Sequence, residues 1–208
     1  MRVRLQPNRF VFPCSTAFTL VEMLITLALM LILFVMMYGF GSRSHQQQQK
    51  LVCQKNLTTI HVALEIFAGE HDGAFPMKAD AATSEAALAL LVPKYTAATA
   101  PFICPGSKDK PIPEGESFAD RRISYAYYMG QRRTSSDELL MTDQQIDALP
   151  KIKGQPVFST DGKRPGNNHH RYGGNLLFCD GRVEKISAIA PFSLLATQGV
   201  TLLNPKQP

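Results

Sequence analysis

Residues 18–40 read FTLVEMLITLALMLILFVMMYGF and decide how this chain is organised, because they carry a single charge, Glu22. As an α-helix rising about 1.5 Å per residue, the stretch would extend about 34 Å, enough to cross a hydrocarbon core of about 30 Å. The run is longer than the apolar core of a secretory signal peptide, about 7–15 residues, and no A-x-A-like cleavage site follows it. The stretch therefore predicts a single-pass membrane helix.

The rest of the composition is that of an ordinary globular protein. The 208 residues are 45% hydrophobic and 19% charged, which excludes a polytopic membrane protein, and four cysteines are too few for a disulfide-rich scaffold. Formal net charge is +5, but Arg2, Arg4 and Arg9 precede the apolar stretch. The remaining residues carry a small excess of positive charge, so no nucleic-acid partner is expected.

The helix is predicted to continue well beyond the membrane. Proline is absent between Pro13 and Pro76, so a helix that begins at Phe18 can extend to about Glu70. Its second half carries apolar residues at steps of four, three, four and three, namely Cys53, Leu57, Ile60, Leu64 and Phe67. This spacing is typical of an amphipathic helix whose apolar face packs on a globular domain.

The globular domain is predicted to contain short elements. We expect a helix over 84–92, strands over 123–129 and 156–160, and a short acidic helix within 135–149. The fold class is therefore α+β, with a long N-terminal helix packed on a small antiparallel β-sheet.

A hairpin is the clearest local signal in the second half of the chain. Asp180-Gly181 separates two apolar runs, which favours a two-residue loop with a type I′ turn. With that loop, Phe178 is expected opposite Val183, and Leu176 on the same buried face.

Residues 15–22, STAFTLVE, resemble the processing motif of type IV prepilins. In that family a membrane peptidase removes a short basic leader and methylates the new amino terminus. The resemblance implies cleavage between Ala17 and Phe18, N-methylation of Phe18 and an assembly role for Glu22, the fifth mature residue. Ala17 replaces the usual glycine of the family and is also small. Phe18 and Glu22 lie four positions apart on one helix face, so the new amine can pair with a carboxylate of its own or a neighbouring subunit.

A second resemblance lies near the C-terminus. His170, nine residues and then Asp180-Gly181 are similar to the H-X9-DG motif of prepilin-type proteins common in planctomycete and verrucomicrobial bacteria. Shorter pieces are similar to the same group: Cys53-x-x-Asn56-Leu57, Asp72-Gly73-x-Phe75-Pro76, Phe102-x-Cys104-Pro105 and Ser124-Tyr125-x-Tyr127. Arg182 departs from the group, which often has histidine there. The resemblance implies a pilin-like filament subunit rather than an enzyme.

The same resemblance implies the organisation, location and partners of the protein. It predicts a leader at 1–17, a transmembrane half-helix at 18–40, a polar and amphipathic half-helix at 41–70, a globular domain at 71–190 and a tail at 191–208. Positive charges flank both sides of the span, so placing the globular domain outside the inner membrane rests on the resemblance. The implied partners are a prepilin peptidase, the lipid bilayer, an inner-membrane assembly platform and further pilin or pseudopilin subunits in a homo-oligomeric filament.

For the cysteines and for possible metal ligands, the sequence leaves more than one interpretation open. The group resemblance favours a disulfide between Cys53 and Cys104, with buried free thiols as the alternative. No cofactor is expected and no metal is assigned. Calcium is considered because related major pseudopilins bind it through a C-terminal loop, with Asp161 and Asp180 as the candidate ligands. Adjacent side chains such as His169 and His170 generally diverge, so both are not expected to bind one ion.

Two further functions stay open at this point. One is a membrane-anchored periplasmic binding or metal-dependent domain that uses the loop containing His170 and Asp180. The other is a minor pilin of DNA uptake, which would bind DNA in a salt-sensitive manner.

Overall fold

A computed structural model of the protein describes residues 18–118 and 121–207, and only the backbone at 38–43. The chain divides into two units after Gly41. In the first unit, helix α1 (Leu20–Glu70) begins, and every described side chain from 18 to 37 is exposed. Leu20–Met37 is long and apolar enough to cross a membrane, a test of length and composition that an N-terminal signal sequence also passes. The prediction of one continuous helix that ends at about Glu70 is confirmed.

The second unit contains a five-stranded antiparallel sheet. Its strands are β1 (Tyr125–Met129), β2 (Leu139–Asp143), β3 (Gly174–Phe178), β4 (Val183–Ile186) and β5 (Thr201–Leu203). They are ordered β4-β3-β2-β1-β5 across the sheet. The predicted combination of a long helix with a small antiparallel sheet is confirmed.

Apolar side chains cover both faces of this sheet. On one face, Tyr125, Tyr127 and Leu177 pack in one cluster with the stripe of α1, whose five predicted residues are all buried. On the other face, Tyr128, Leu176 and Phe178 pack with apolar residues of the segments at 157–158 and 186–194. Because the central strands β2 and β3 are covered on both sides, all of their residues are buried.

The hairpin between β3 and β4 differs from the prediction. The Gly181 N–H donates to the Phe178 carbonyl, 3.0 Å, and the Phe178 N–H to the Arg182 carbonyl, 2.9 Å. Gly181 has φ +88°, whereas Asp180 is not among the residues with positive φ. This is a three-residue loop, a tight turn followed by a left-handed glycine. The extra residue shifts the register, so Val183 pairs with Leu177 and lies on the opposite face from Leu176 and Phe178.

Three other predictions need correction. The expected acidic helix within 135–149 is wrong, because Leu139–Asp143 form β2 in the middle of the sheet, where packing overrides helix propensity. The expected strand at 156–160 forms only an isolated bridge between Pro156 and Ile189. The segment at 191–208 is not simply a tail, because it contains β5, which pairs with β1. The short helix is confirmed as α2 (Ser84–Leu88) and a following 3-10 turn, Ala89–Leu91.

Candidate functional site

The N-terminal motif begins helix α1 with reciprocal hydrogen bonds. The backbone N–H and the hydroxyl of Thr19 donate to Oε2 of Glu22 at 3.0 and 2.9 Å, and the Glu22 N–H donates to Thr19 Oγ1 at 3.3 Å. This is a capping box, in which two otherwise unpaired N–H groups of the first helical turn are satisfied. The spacing T-x-x-E is the sequence signature of such a box, and it was not among the predictions. Ala17 lies outside the described residues, and Phe18 is 77% exposed.

The residues of the H-X9-DG motif lie in two turns. His170 is exposed with φ +55°, and its ring covers Gly162, where an added Cβ would lie 2.4 Å from Nε2. Asp180 is exposed in the hairpin loop, and its Oδ1 accepts the Arg182 N–H at 2.8 Å. Within 18–118 and 121–207 no hydrogen bond or ion pair joins His170 to Asp180. The motif therefore shapes the turns around β3.

The candidate calcium ligand Asp161 also lies in a turn of its own. Its Oδ1 accepts hydrogen bonds from the Ser159 hydroxyl and the Lys163 N–H, both at 2.9 Å. In the described part of the chain, neither Asp161 nor Asp180 belongs to a cluster of three or more metal-ligating side chains. Calcium at these residues stays a prediction.

Four side chains from separate parts of the second unit meet in its interior. They come from the stripe of α1, the loop after the 3-10 turn Ala100–Phe102, the end of β2 and the loop before β3: Cys53, Cys104, Asp143 and His169. Their exposed fractions are 0 to 1%, and the four ligand atoms lie within 4.8 Å of one another. The group could hold a metal ion. We call it the buried cluster.

The distances between atoms of the buried cluster show which of its side chains are neighbours. The sulfurs of Cys53 and Cys104 lie 2.6 Å apart. His169 Nε2 lies 3.7 Å from Cys104 Sγ and 3.3 Å from Asp143 Oδ2. The histidine therefore lies between one thiol and a carboxylate. Gly106 admits this arrangement, because a Cβ there would lie 2.0 Å from the carbonyl oxygen of Asn168, the residue before His169.

Hydrogen bonds hold the carboxylate and one sulfur in place. Asp143 Oδ2 accepts from the backbone N–H and the side-chain amide of Asn175 at 2.8 and 3.0 Å, and Oδ1 accepts from Asn168 Nδ2 at 3.2 Å. The Gly106 N–H donates to Cys104 Sγ at 3.3 Å. Partners of this kind fix the orientation of ligating groups in metal sites.

Charges shift the protonation of the buried cluster. Burial alone would lower the pKa of His169, but the Asp143 carboxylate raises it to about 10. Burial opposes the ionisation of Asp143, yet the charge of His169 and three N–H donors hold its pKa below the usual value. Burial raises the pKa of Cys53, whereas hydrogen bonds from Cys53 and His169 outweigh burial at Cys104 and lower its pKa to about 7. Cys104 is therefore the more acidic thiol.

The structure brings together the two cysteines that the resemblance pairs. Both are free thiols here, and Cys179, the third cysteine of the described chain, is buried elsewhere, as the first residue of the hairpin loop. The disulfide stays a prediction. Asp143 was not predicted as a site residue. His169 was considered only together with His170, and no separate role was predicted for it. No short sequence motif indicates the buried cluster, because its four members are spread over more than a hundred residues of the chain.

Comparison of this chain with protein-family models, with curated proteins and with solved structures gives no match. The function of the chain is therefore inferred from its motifs and from the geometry of its side chains.

Proposed function

We propose that the chain is a pilin-like structural subunit rather than an enzyme. A prepilin peptidase would cleave it between Ala17 and Phe18 and methylate Phe18. The mature subunit would then leave the inner membrane through an assembly platform and enter a type II secretion pseudopilus or type IV pilus-like filament. The observation that carries the proposal is the exposed apolar half of α1, near whose start the carboxylate of Glu22, the fifth residue after the expected cut, accepts hydrogen bonds from Thr19.

The exposed apolar surface supports this proposal energetically. Every described side chain from 18 to 37 is exposed in the single chain, so the segment needs either lipid or other apolar helices around it. Burying one large aliphatic side chain is worth about 1.5–3 kcal/mol. A bundle of identical helices would replace lipid contacts by helix contacts, which is the exchange that moving a subunit from membrane to filament requires.

The capped carboxylate supports a role in subunit pairing. Glu22 uses Oε2 to accept both Thr19 donors, and within the described chain Oε1 accepts no hydrogen bond. An amine created at Phe18, in the same or an adjacent subunit, would supply a charged donor for that oxygen. A carboxylate that lacks such a partner is costly in an apolar bundle, so pairing would select one register between neighbouring helices.

The alternative functions gain less support. A binding or metal-dependent domain built on His170 and Asp180 would need these side chains to converge, whereas they lie in separate turns. For a DNA-uptake pilin, the described surface offers a cleft lined by basic side chains, but Glu116 and Asp109 already pair with two of its arginines, Arg121 and Arg122.

Three variants test the proposal by separating charge from helix capping. Glu22→Gln keeps a capping-box acceptor and removes the charge, Glu22→Ala removes both, and Thr19→Ala weakens the cap while keeping the charge. In a host with its secretion or pilus machinery, both Glu22 variants should be cleaved yet enter the sheared filament fraction at a small part of the wild-type yield. Thr19→Ala should assemble. Wild-type filament yield from Glu22→Gln would refute the charge-pairing mechanism.

A further inference from the structure

We infer that the buried cluster is a zinc site that links helix α1 to the sheet. Its members offer two sulfurs, one imidazole nitrogen and one carboxylate oxygen. Thiolate and imidazole are the ligands that Zn²⁺ takes in structural sites, with four ligands in a tetrahedron. Calcium and magnesium take oxygen ligands, so neither suits this set. The site is independent of the proposed filament function.

The observed separations fit a zinc tetrahedron along two edges. Bonds of about 2.3 Å to sulfur and about 2.0–2.1 Å to nitrogen and oxygen place sulfur about 3.6 Å from nitrogen, and nitrogen about 3.3 Å from oxygen. The corresponding distances are 3.7 Å from Cys104 Sγ to His169 Nε2 and 3.3 Å from that nitrogen to Asp143 Oδ2.

A further edge, between the two sulfurs, distinguishes a zinc-bound state of the cluster from a disulfide-linked one. The two sulfurs lie 2.6 Å apart, whereas zinc would hold them about 3.8 Å apart. A disulfide would bring the same atoms to about 2.05 Å. Zinc and the disulfide therefore compete for Cys53 and Cys104. Zinc binds the reduced pair and takes His169 as a neutral imidazole, so the thiol protons and the proton on His169 Nε2 are released to solvent.

The residues around the buried cluster supply a positive charge and hydrogen-bond donors, which suit a negatively charged zinc centre. Two thiolates, one carboxylate, a neutral imidazole and Zn²⁺ leave one net negative charge. Lys50 lies one turn before Cys53 on α1, and its charge interacts with that of Asp143. Its Nζ donates to the carbonyls of Tyr172 and Ile186 at 3.0 and 2.8 Å, which fixes the cation beside the sheet. The Gly106 N–H supports a thiolate at Cys104, and Asn175 and Asn168 hold the carboxylate.

The test uses the detergent-solubilised full-length chain, purified under reducing conditions and loaded with Zn²⁺ alone. After dialysis against a weak chelator, elemental analysis should give about one zinc per chain. Cys104→Ser should lose most of this zinc. The matched control is Cys179→Ser, which removes another buried thiol outside the buried cluster and should keep it.

Cobalt(II) substitution gives a readout that needs no variant. The unaltered chain should show a thiolate-to-cobalt charge-transfer band and the intense visible bands of a tetrahedral ion. A folded, reduced chain that binds no zinc, or a cobalt spectrum without the thiolate band, would overturn the inference. So would equal zinc content in Cys104→Ser and the wild type. A chain isolated with the two cysteines linked, and unable to bind zinc after reduction, would show that the site is only a disulfide.

Discussion

Replacing Asp143 by alanine should destabilise the globular unit more than most single substitutions. The carboxylate is fully buried, accepts three N–H hydrogen bonds and lies 3.3 Å from His169 Nε2. Alanine would leave a buried imidazolium without its counter-charge and the donors of Asn175 and Asn168 without an acceptor. Removing one partner of a buried ion pair costs about 3–5 kcal/mol. With a urea slope of about 2 kcal/mol/M, the unfolding midpoint should fall by about 2 M.

The matched variant is Asp143→Asn, which keeps an oxygen acceptor for Asn175 but removes the charge. We expect it to cost less, about 1–3 kcal/mol, because fewer buried groups lose their partners. The assay is urea unfolding of the reduced, zinc-free full-length chain in detergent. The chain has no tryptophan, so near-UV circular dichroism of the buried tyrosines, Tyr125, Tyr127 and Tyr128, reports the sheet. An unfolding free energy for Asp143→Ala within 1 kcal/mol of wild type, about the smallest loss expected for one unmet buried group, would refute the reasoning.

Gly181→Ala should lower the unfolding free energy by more than the cost of about 1–2 kcal/mol for placing an alanine in the left-handed region. Its Cβ would also lie 2.9 Å from the His61 ring, which can move away only by losing the 3.2 Å hydrogen bond between its Nε2 and the Cys179 carbonyl. Gly154→Ala is the control, with φ +91° and no atom within 4 Å, and an equal loss for both in urea unfolding would contradict this packing argument. In zinc-free Cys104→Ser protein, the unfolding free energy should fall as pH rises above about 6.5, because the Asp143 carboxylate still holds the folded-state pKa of His169 above its unfolded value and the stabilising charge is lost as that pKa is passed. Adding His169→Gln should flatten this dependence, and an unchanged slope in the double variant would assign the effect to another group.

The parts of the fold that follow from long sequence patterns are predictable. The apolar stretch is continuous over residues 18–40, the stripe from Cys53 to Phe67 repeats a helical spacing, and the structure places both in α1. Strands β2 and β5 were not predicted, each for its own reason. β2 is buried on both faces, so it lacks the alternation that marks a half-buried strand, and β5 has only three residues.

The candidate site shows the limit of sequence patterns more sharply. Glu22 is recognisable because the processing motif is a continuous run of sequence, and its capping partner Thr19 lies only three residues before it. The buried cluster is assembled by tertiary folding, which brings Asp143 at a strand end to a helix cysteine ninety residues earlier. His169 and His170 look equivalent in sequence, yet the first is fully buried and the second is exposed. The difference in exposure between the two histidines depends on the backbone path of the loop before β3, which the sequence pattern does not show.

The most direct test of a processed, membrane-stored filament subunit is mass spectrometry of its N-terminal peptide. The protein should be isolated from a host that has a working prepilin peptidase. The account predicts a peptide that begins at Phe18, carries one added methyl group on its amine and contains Glu22. A chain that retains Met1 and the arginine-bearing leader, or that begins beyond Phe40, would contradict it.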